Sequence, residues 1–150
     1  MYEKDRGLSF ESFKNVNQPD FFSEVEYIYA IFKIKTLPLD LLLKTVNLVC
    51  PNFLIIEGHI FLSNEFDENK FKDLREKYEI GKVQFWMNLI EITNFHEEIT
   101  EEQALLLAGK IVDSWNAKIE YEDMKTSGKA RVFKDPEYGE VFVTIDCKEK

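Results

Sequence analysis

Thr100-Glu101-Glu102-Gln103 constrains this chain more than any other segment. A threonine followed three residues later by glutamine, just ahead of an apolar run, is a capping box: each side chain satisfies a backbone N–H that the helix start would leave orphaned. Glu101 and Glu102 also complement the partial positive charge of that start. Behind them Ala104, Leu107, Ala108, Ile111, Trp115 and Ile119 recur at steps of three and four. That spacing puts them on one face through several turns and predicts the main core helix, with Trp115 packed inside.

The rest of the chain reads as shorter pieces. Pro38 opens a helix carrying Leu39, Leu42, Leu43, Val46 and Val49 on one stripe, and Pro51 ends it. Phe53 to Ile56 and His59 to Leu62 flank Glu57-Gly58, the pattern of a tight hairpin. Asp67 is an N-cap for a short charged helix reaching Tyr78, and Gly81 ends that region. Val83 to Phe95 has strand composition, with Glu91 and Thr93 alternating against Ile90 and Ile92. Ala130 to Phe133 and Glu140 to Cys147 read as two strands, with Val141, Val143, Ile145 and Cys147 on one face. Residues 20–35 fit a helical and a strand period equally, and residues 1–18 read as a loosely ordered arm or an edge element. The expected fold class is α+β: a single domain over 1–150, with an antiparallel sheet of hairpins packed against helices on one face.

A length of 150 residues suits one domain, and 45% apolar residues with thirteen Phe exclude disorder for most of it. No apolar run approaches the ~20 residues a membrane span needs. Met1 to Arg6 leads into no apolar signal core, so a leader is not expected. Cys50 and Cys147 match no paired motif and lie in apolar contexts. Buried, reduced thiols and a cytoplasmic location are therefore expected.

Twenty-eight acids against nineteen Lys and Arg give a formal charge of −9. Such a chain repels nucleic-acid phosphates and anionic membrane surfaces, whereas a basic protein partner is favoured. Net negative charge also serves solubility alone, but here the charge is segregated. From Gln84 to Gly109 there is no Lys or Arg, while Glu91, Glu97, Glu98, Glu101 and Glu102 all fall inside that stretch.

Catalytic signatures are missing. The chain has two His, and His96-Glu97-Glu98 lacks the second His of a zinc helix. Neither Cys has a flanking His, and no phosphate-binding glycine loop is present. No enzyme activity, cofactor or metal is expected. In a strand, Phe85 and Trp86 would face opposite ways, so one of them points outward unless another helix covers it. The candidate partner-binding residues are Trp86, Glu91, Asn94, Glu97, Glu98, Glu101 and Glu102.

From residue 37 to 147 the elements follow one order: a proline-capped helix (Leu39 to Cys50), Pro51-Asn52-Phe53, a strand, Gly58, and a strand with Phe61-Leu62. After an acidic insert come Trp86-Met87-Asn88-Leu89-Ile90, a helix with Ala108 and Trp115, and a closing hairpin. This order resembles small bacterial immunity-type proteins of polymorphic-toxin and contact-dependent growth inhibition systems. The resemblance implies a non-catalytic inhibitor that binds a cognate toxin, often a basic nuclease. A regulatory or scaffold protein with another cytoplasmic partner is the alternative, and a small enzyme or small-molecule binder a third.

Overall fold

The computed structural model describes residues 7–147. Over the span read as a single domain, the chain forms two compact units, Met1–Lys44 and Thr45–Lys150.

The first unit is helical. Helix α1 (Phe10–Asn17) starts at Ser9, whose hydroxyl accepts the Ser12 N–H. This corrects the loosely ordered arm expected over 1–18, of which Met1 to Arg6 lies outside the described residues. Helix α2 (Glu24–Ile34) starts at a complete capping box: Ser23 Oγ accepts the Glu26 N–H, and the Glu26 carboxylate accepts the Ser23 N–H. That box decides the competing periods over 20–35 for a helix. Phe10, Phe13, Phe22 and Tyr27 pack with ring centroids 5.5 to 6.4 Å apart. Tyr27 Oη donates to the Leu8 carbonyl at 2.6 Å. No residue of α1 or α2 is buried. Helix α3 (Leu39–Val49) begins in this unit and ends in the second.

The second unit is built on α6 (Glu101–Tyr121), and the predicted capping box is present: Thr100 Oγ1 accepts the Gln103 N–H, and Gln103 Oε1 accepts the Thr100 N–H. Ala104, Ala108, Ile111, Trp115 and Ile119 are buried. Leu107 is a correction: it lies at the margin of the stripe and stays 38% exposed. Trp115 Nε1 donates to the Leu48 carbonyl at 2.7 Å and Ser114 Oγ to that of Val49 at 2.6 Å, tying the end of α3 to α6.

Strands β1 (Phe53–Ile56) and β2 (His59–Leu62) form the expected hairpin. Its turn residues Glu57 and Gly58 have φ of 51° and 75°, the positive pair that a two-residue turn matching strand twist requires. Strands β3 (Ile90–Glu91), β4 (Lys129–Lys134) and β5 (Val141–Asp146) form an antiparallel sheet in the order β3-β5-β4. Ile90, Val143 and Val132 lie in register on the face that meets the α6 core; Glu91, Phe142 and Phe133 lie on the opposite face. Helices α4 (Glu68–Lys77) and α5 (Ile80–Met87) follow the hairpin, α4 capped by the Asp67 carboxylate as predicted. The fold is α+β. Helix α6 packs on β4 and β5, and Ile60 and Leu62 of the hairpin join the same core; on the hairpin's other face Val83 and Met87 of α5 and Phe71 and Leu74 of α4 enclose Phe61.

Helix α5 corrects the strand expected over Val83 to Phe95, of which only the two residues of β3 are strand; Gly81 lies inside α5 instead of ending the element. The physical reason is a run of buried positions at helical spacing: Val83, Gln84, Met87 and Asn88. Burial of these residues overrides the strand preference of Val83 and of the aromatic side chains between them, Phe85 and Trp86.

Gln84 and Asn88, one turn apart, form a buried polar seam between β2 and β5. Asn88 Oδ1 accepts the Leu62 N–H at 2.9 Å, while Nδ2 donates to the carbonyls of Ile60 (2.9 Å) and Ile145 (3.2 Å). Gln84 Nε2 donates to the carbonyls of Ile60 (3.2 Å) and Ser127 (2.8 Å), and Oε1 accepts the Cys147 N–H at 3.1 Å. Two side-chain amides thus take the place of a direct strand-to-strand ladder. Gly128 lies against the seam, where an added Cβ would stand 2.8 Å from Gln84 Nε2 and 2.9 Å from Ile145 Cγ2.

Candidate functional site

The candidate acidic residues gather at one end of the three-stranded sheet. The Ile92 N–H donates to the Val141 carbonyl at 2.8 Å, and Val141 is the register partner of Lys134. From that row the chain makes a 3-10 turn at Thr93–Phe95 and enters α6 at Glu101. Lys134 pairs with Glu101, holding the end of β4 beside the start of α6. The β4–β5 turn closes the same end and adds Asp135, Glu137 and Glu140, acids the sequence reasoning did not single out.

Asn94, Glu97, Glu98, Glu101 and Glu102 are all exposed. Among the described residues, Glu97, Glu98 and Glu102 make no ion pair. Their field is directed at solvent and is not spent inside the fold. Glu91 differs: it is half-buried, and its carboxylate accepts the Thr93 hydroxyl at 2.9 Å. Phe95, 54% exposed within the acidic segment, was also missed, because its aromatic character suited the expected strand.

Trp86 is 52% exposed on α5. Its outward position follows from the helical spacing that buries Val83 and Met87, not from strand alternation. Trp86 meets Phe85 edge-on at 5.2 Å; Phe85 meets Phe133 at 5.4 Å, and Phe133 meets Phe142 at 5.9 Å. Phe142 is the register partner of Glu91. An aromatic row therefore separates Trp86 from the acidic end instead of placing it among the acids. Arg131 lies over Phe85 and Phe133 and is bound to both oxygens of Asp146.

Both histidines are engaged locally: His59 Nδ1 lies 2.9 Å from the Glu57 carbonyl, and His96 Nδ1 accepts the Glu98 N–H at 3.0 Å. Among the described residues, no group of three or more His, Cys, Asp or Glu is arranged to hold a metal ion. Cys50 and Cys147 are exposed, which corrects the expectation of buried thiols. Cys50 follows the last turn of α3, where Leu48 packs inward and Val49 does not; Cys147 lies past the end of β5, where the inward alternation stops. Desolvation and the neighbouring Asp146 charge push the Cys147 thiol above its usual range, against a hydrogen bond with Gln84 that lowers it. The Arg75 guanidinium, hydrogen-bonded to both oxygens of Glu57, holds that carboxyl below its usual range. No described helix is long and apolar enough to cross a membrane.

Compared with known proteins, the chain matches no family model, no curated protein and no solved structure.

Proposed function

We propose that the chain is a non-catalytic binding module whose acidic end engages a basic protein, and that this partner is a toxin domain which it neutralises as an immunity-type protein. The observation that carries the proposal is the group Glu97, Glu98 and Glu102, exposed in the turn before the core helix α6 and in its first turn, with no ion pair among the described residues. Carboxylates left unpaired raise the rate of encounter with a basic surface and gain interactions when a partner desolvates them. Exposed Phe95 supplies apolar area within the same segment, the composition from which interface anchors are made. The toxin assignment comes from the resemblance over 37–147.

Capture from host lysate tests both parts. The wild-type protein recovers a basic partner at low salt and loses it at high salt, and the triple variant E97K/E98K/E102K recovers none at either. Expressed alone, the captured protein arrests growth, and co-expression restores it. A partner retained by the triple variant overturns the interface; a basic partner that is harmless when expressed alone overturns the toxin assignment.

A further inference from the structure

The opposite end of the three-stranded sheet carries the other sign. Two open grooves, of about 520 and 490 Å³, lie on either side of the last residues of β5 and share Asp146 and Cys147 as a common wall. Lys77 and Lys82 line the first; Lys125 and Lys129 line the second. Among the described residues Lys77, Lys82 and Lys129 make no ion pair, and Lys125 reaches only exposed Glu120, at 3.8 Å. Arg131 neutralises Asp146, which leaves Glu79 as the opposing charge in the first groove. Four lysines around one strand end are a concentrated positive feature in a chain of net charge −9.

We propose that the two grooves form one site for a small molecule carrying two or more phosphate groups, one phosphate held by Lys77 and Lys82 and another by Lys125 and Lys129. The four cations are all lysines, compact point charges that suit phosphate, and only Lys125 has an ion pair, an exposed one; the guanidinium that would grip a carboxylate with two parallel bonds is committed to Asp146. Each groove falls in the size range of small-molecule sites. A long nucleic acid is disfavoured, because its remaining phosphates would meet the negative field of the rest of the chain. Tyr78 and Phe85 also line the first groove, with Lys82 over the Tyr78 ring and Arg131 over that of Phe85.

Titration calorimetry at low salt with orthophosphate, inorganic tripolyphosphate and ATP tests the site. Tripolyphosphate or ATP binds at least tenfold tighter than orthophosphate. K77Q/K82Q and K125Q/K129Q each weaken that binding at least tenfold, while K70Q/K110Q, which removes the same charge elsewhere, changes it less than twofold. ATP tighter than tripolyphosphate assigns an organic phosphate; equal affinity assigns the polyphosphate itself. Absence of saturable binding, equal affinity for orthophosphate, or an equal loss in K70Q/K110Q overturns the proposal.

Discussion

The seam at Gln84 and Asn88 and the acidic end at Glu97 to Glu102 treat polar side chains in opposite ways. In the seam both amides are buried, and every one of their donors and acceptors has a protein partner. At the acidic end the carboxylates are exposed and, apart from Glu101, make no ion pair among the described residues. Buried polar groups left unsatisfied cost free energy, so the seam has to be complete for the fold to hold. Exposed carboxylates cost the fold almost nothing, so they remain available to a partner. Substitutions in the seam should therefore be read out in stability, and substitutions at the acidic end in binding.

The largest expected effect is at Asn88. Asn88→Ala orphans the Leu62 N–H and one bond to the Ile145 carbonyl, both buried. At roughly 1–3 kcal/mol per unsatisfied group it should destabilise the protein by about 3 kcal/mol in chemical denaturation. A loss below about 1 kcal/mol would mean that water or local rearrangement replaces the amide, and the contrast with the acidic end would weaken.

Gly128→Ala comes next. Its φ of 153° and the Cβ approaches of 2.8 and 2.9 Å force Gln84 or Ile145 to move. Overpacking of this kind costs about 2 kcal/mol. In the double variant with Gln84→Ala the Gly128 penalty should shrink, because one of the two clashing side chains is gone; additive losses would place the strain elsewhere.

A smaller effect belongs to Glu57 and Arg75, which join the hairpin turn to α4 at the surface. The Glu57 value is depressed in the folded protein. Its contribution is therefore present above the ordinary carboxylate value of the unfolded chain and is lost as pH falls through the lowered folded value. The stability difference between wild type and Arg75→Met should be constant near neutral pH and vanish in acid. A difference that grows in acid would contradict that sign.

The smallest expected change in stability comes from E97K/E98K/E102K. Each surface substitution of this kind stays within about 0.5 kcal/mol, the largest share falling to Glu102, whose charge complements the start of α6. A melting curve that matches wild type, together with lost partner binding, would give the contrast its sharpest form. A large loss of stability would show that these carboxylates do structural work as well.

Much of the fold was legible because local chemistry and tertiary packing agree there. The Thr100 capping box, the Asp67 cap, the Glu57-Gly58 turn and the alternation through Val141, Val143 and Ile145 each have a short-range cause. Helix α5 was hidden because its aromatic and β-branched residues favour a strand, while half of its helical signal, beside Val83 and Met87, is carried by two polar residues, Gln84 and Asn88, at a spacing of four. A search for apolar periodicity passes over a buried amide. The acidic residues were legible as a run without cations, and the structure brings Asn94, Glu97, Glu98, Glu101 and Glu102 to one end. Trp86 and Glu91 do not join them so simply, and Asp135, Glu137 and Glu140 arrive through a turn more than thirty residues away in the chain. Proximity created by strand pairing leaves no local trace.

The association rate of the captured basic partner with wild type and with E97K/E98K/E102K, measured across ionic strength, decides whether the acidic end steers that partner. The wild-type rate should fall steeply with added salt, and the triple-variant rate should be slow and nearly independent of salt. Equal rates with the same salt dependence for the two proteins would contradict it.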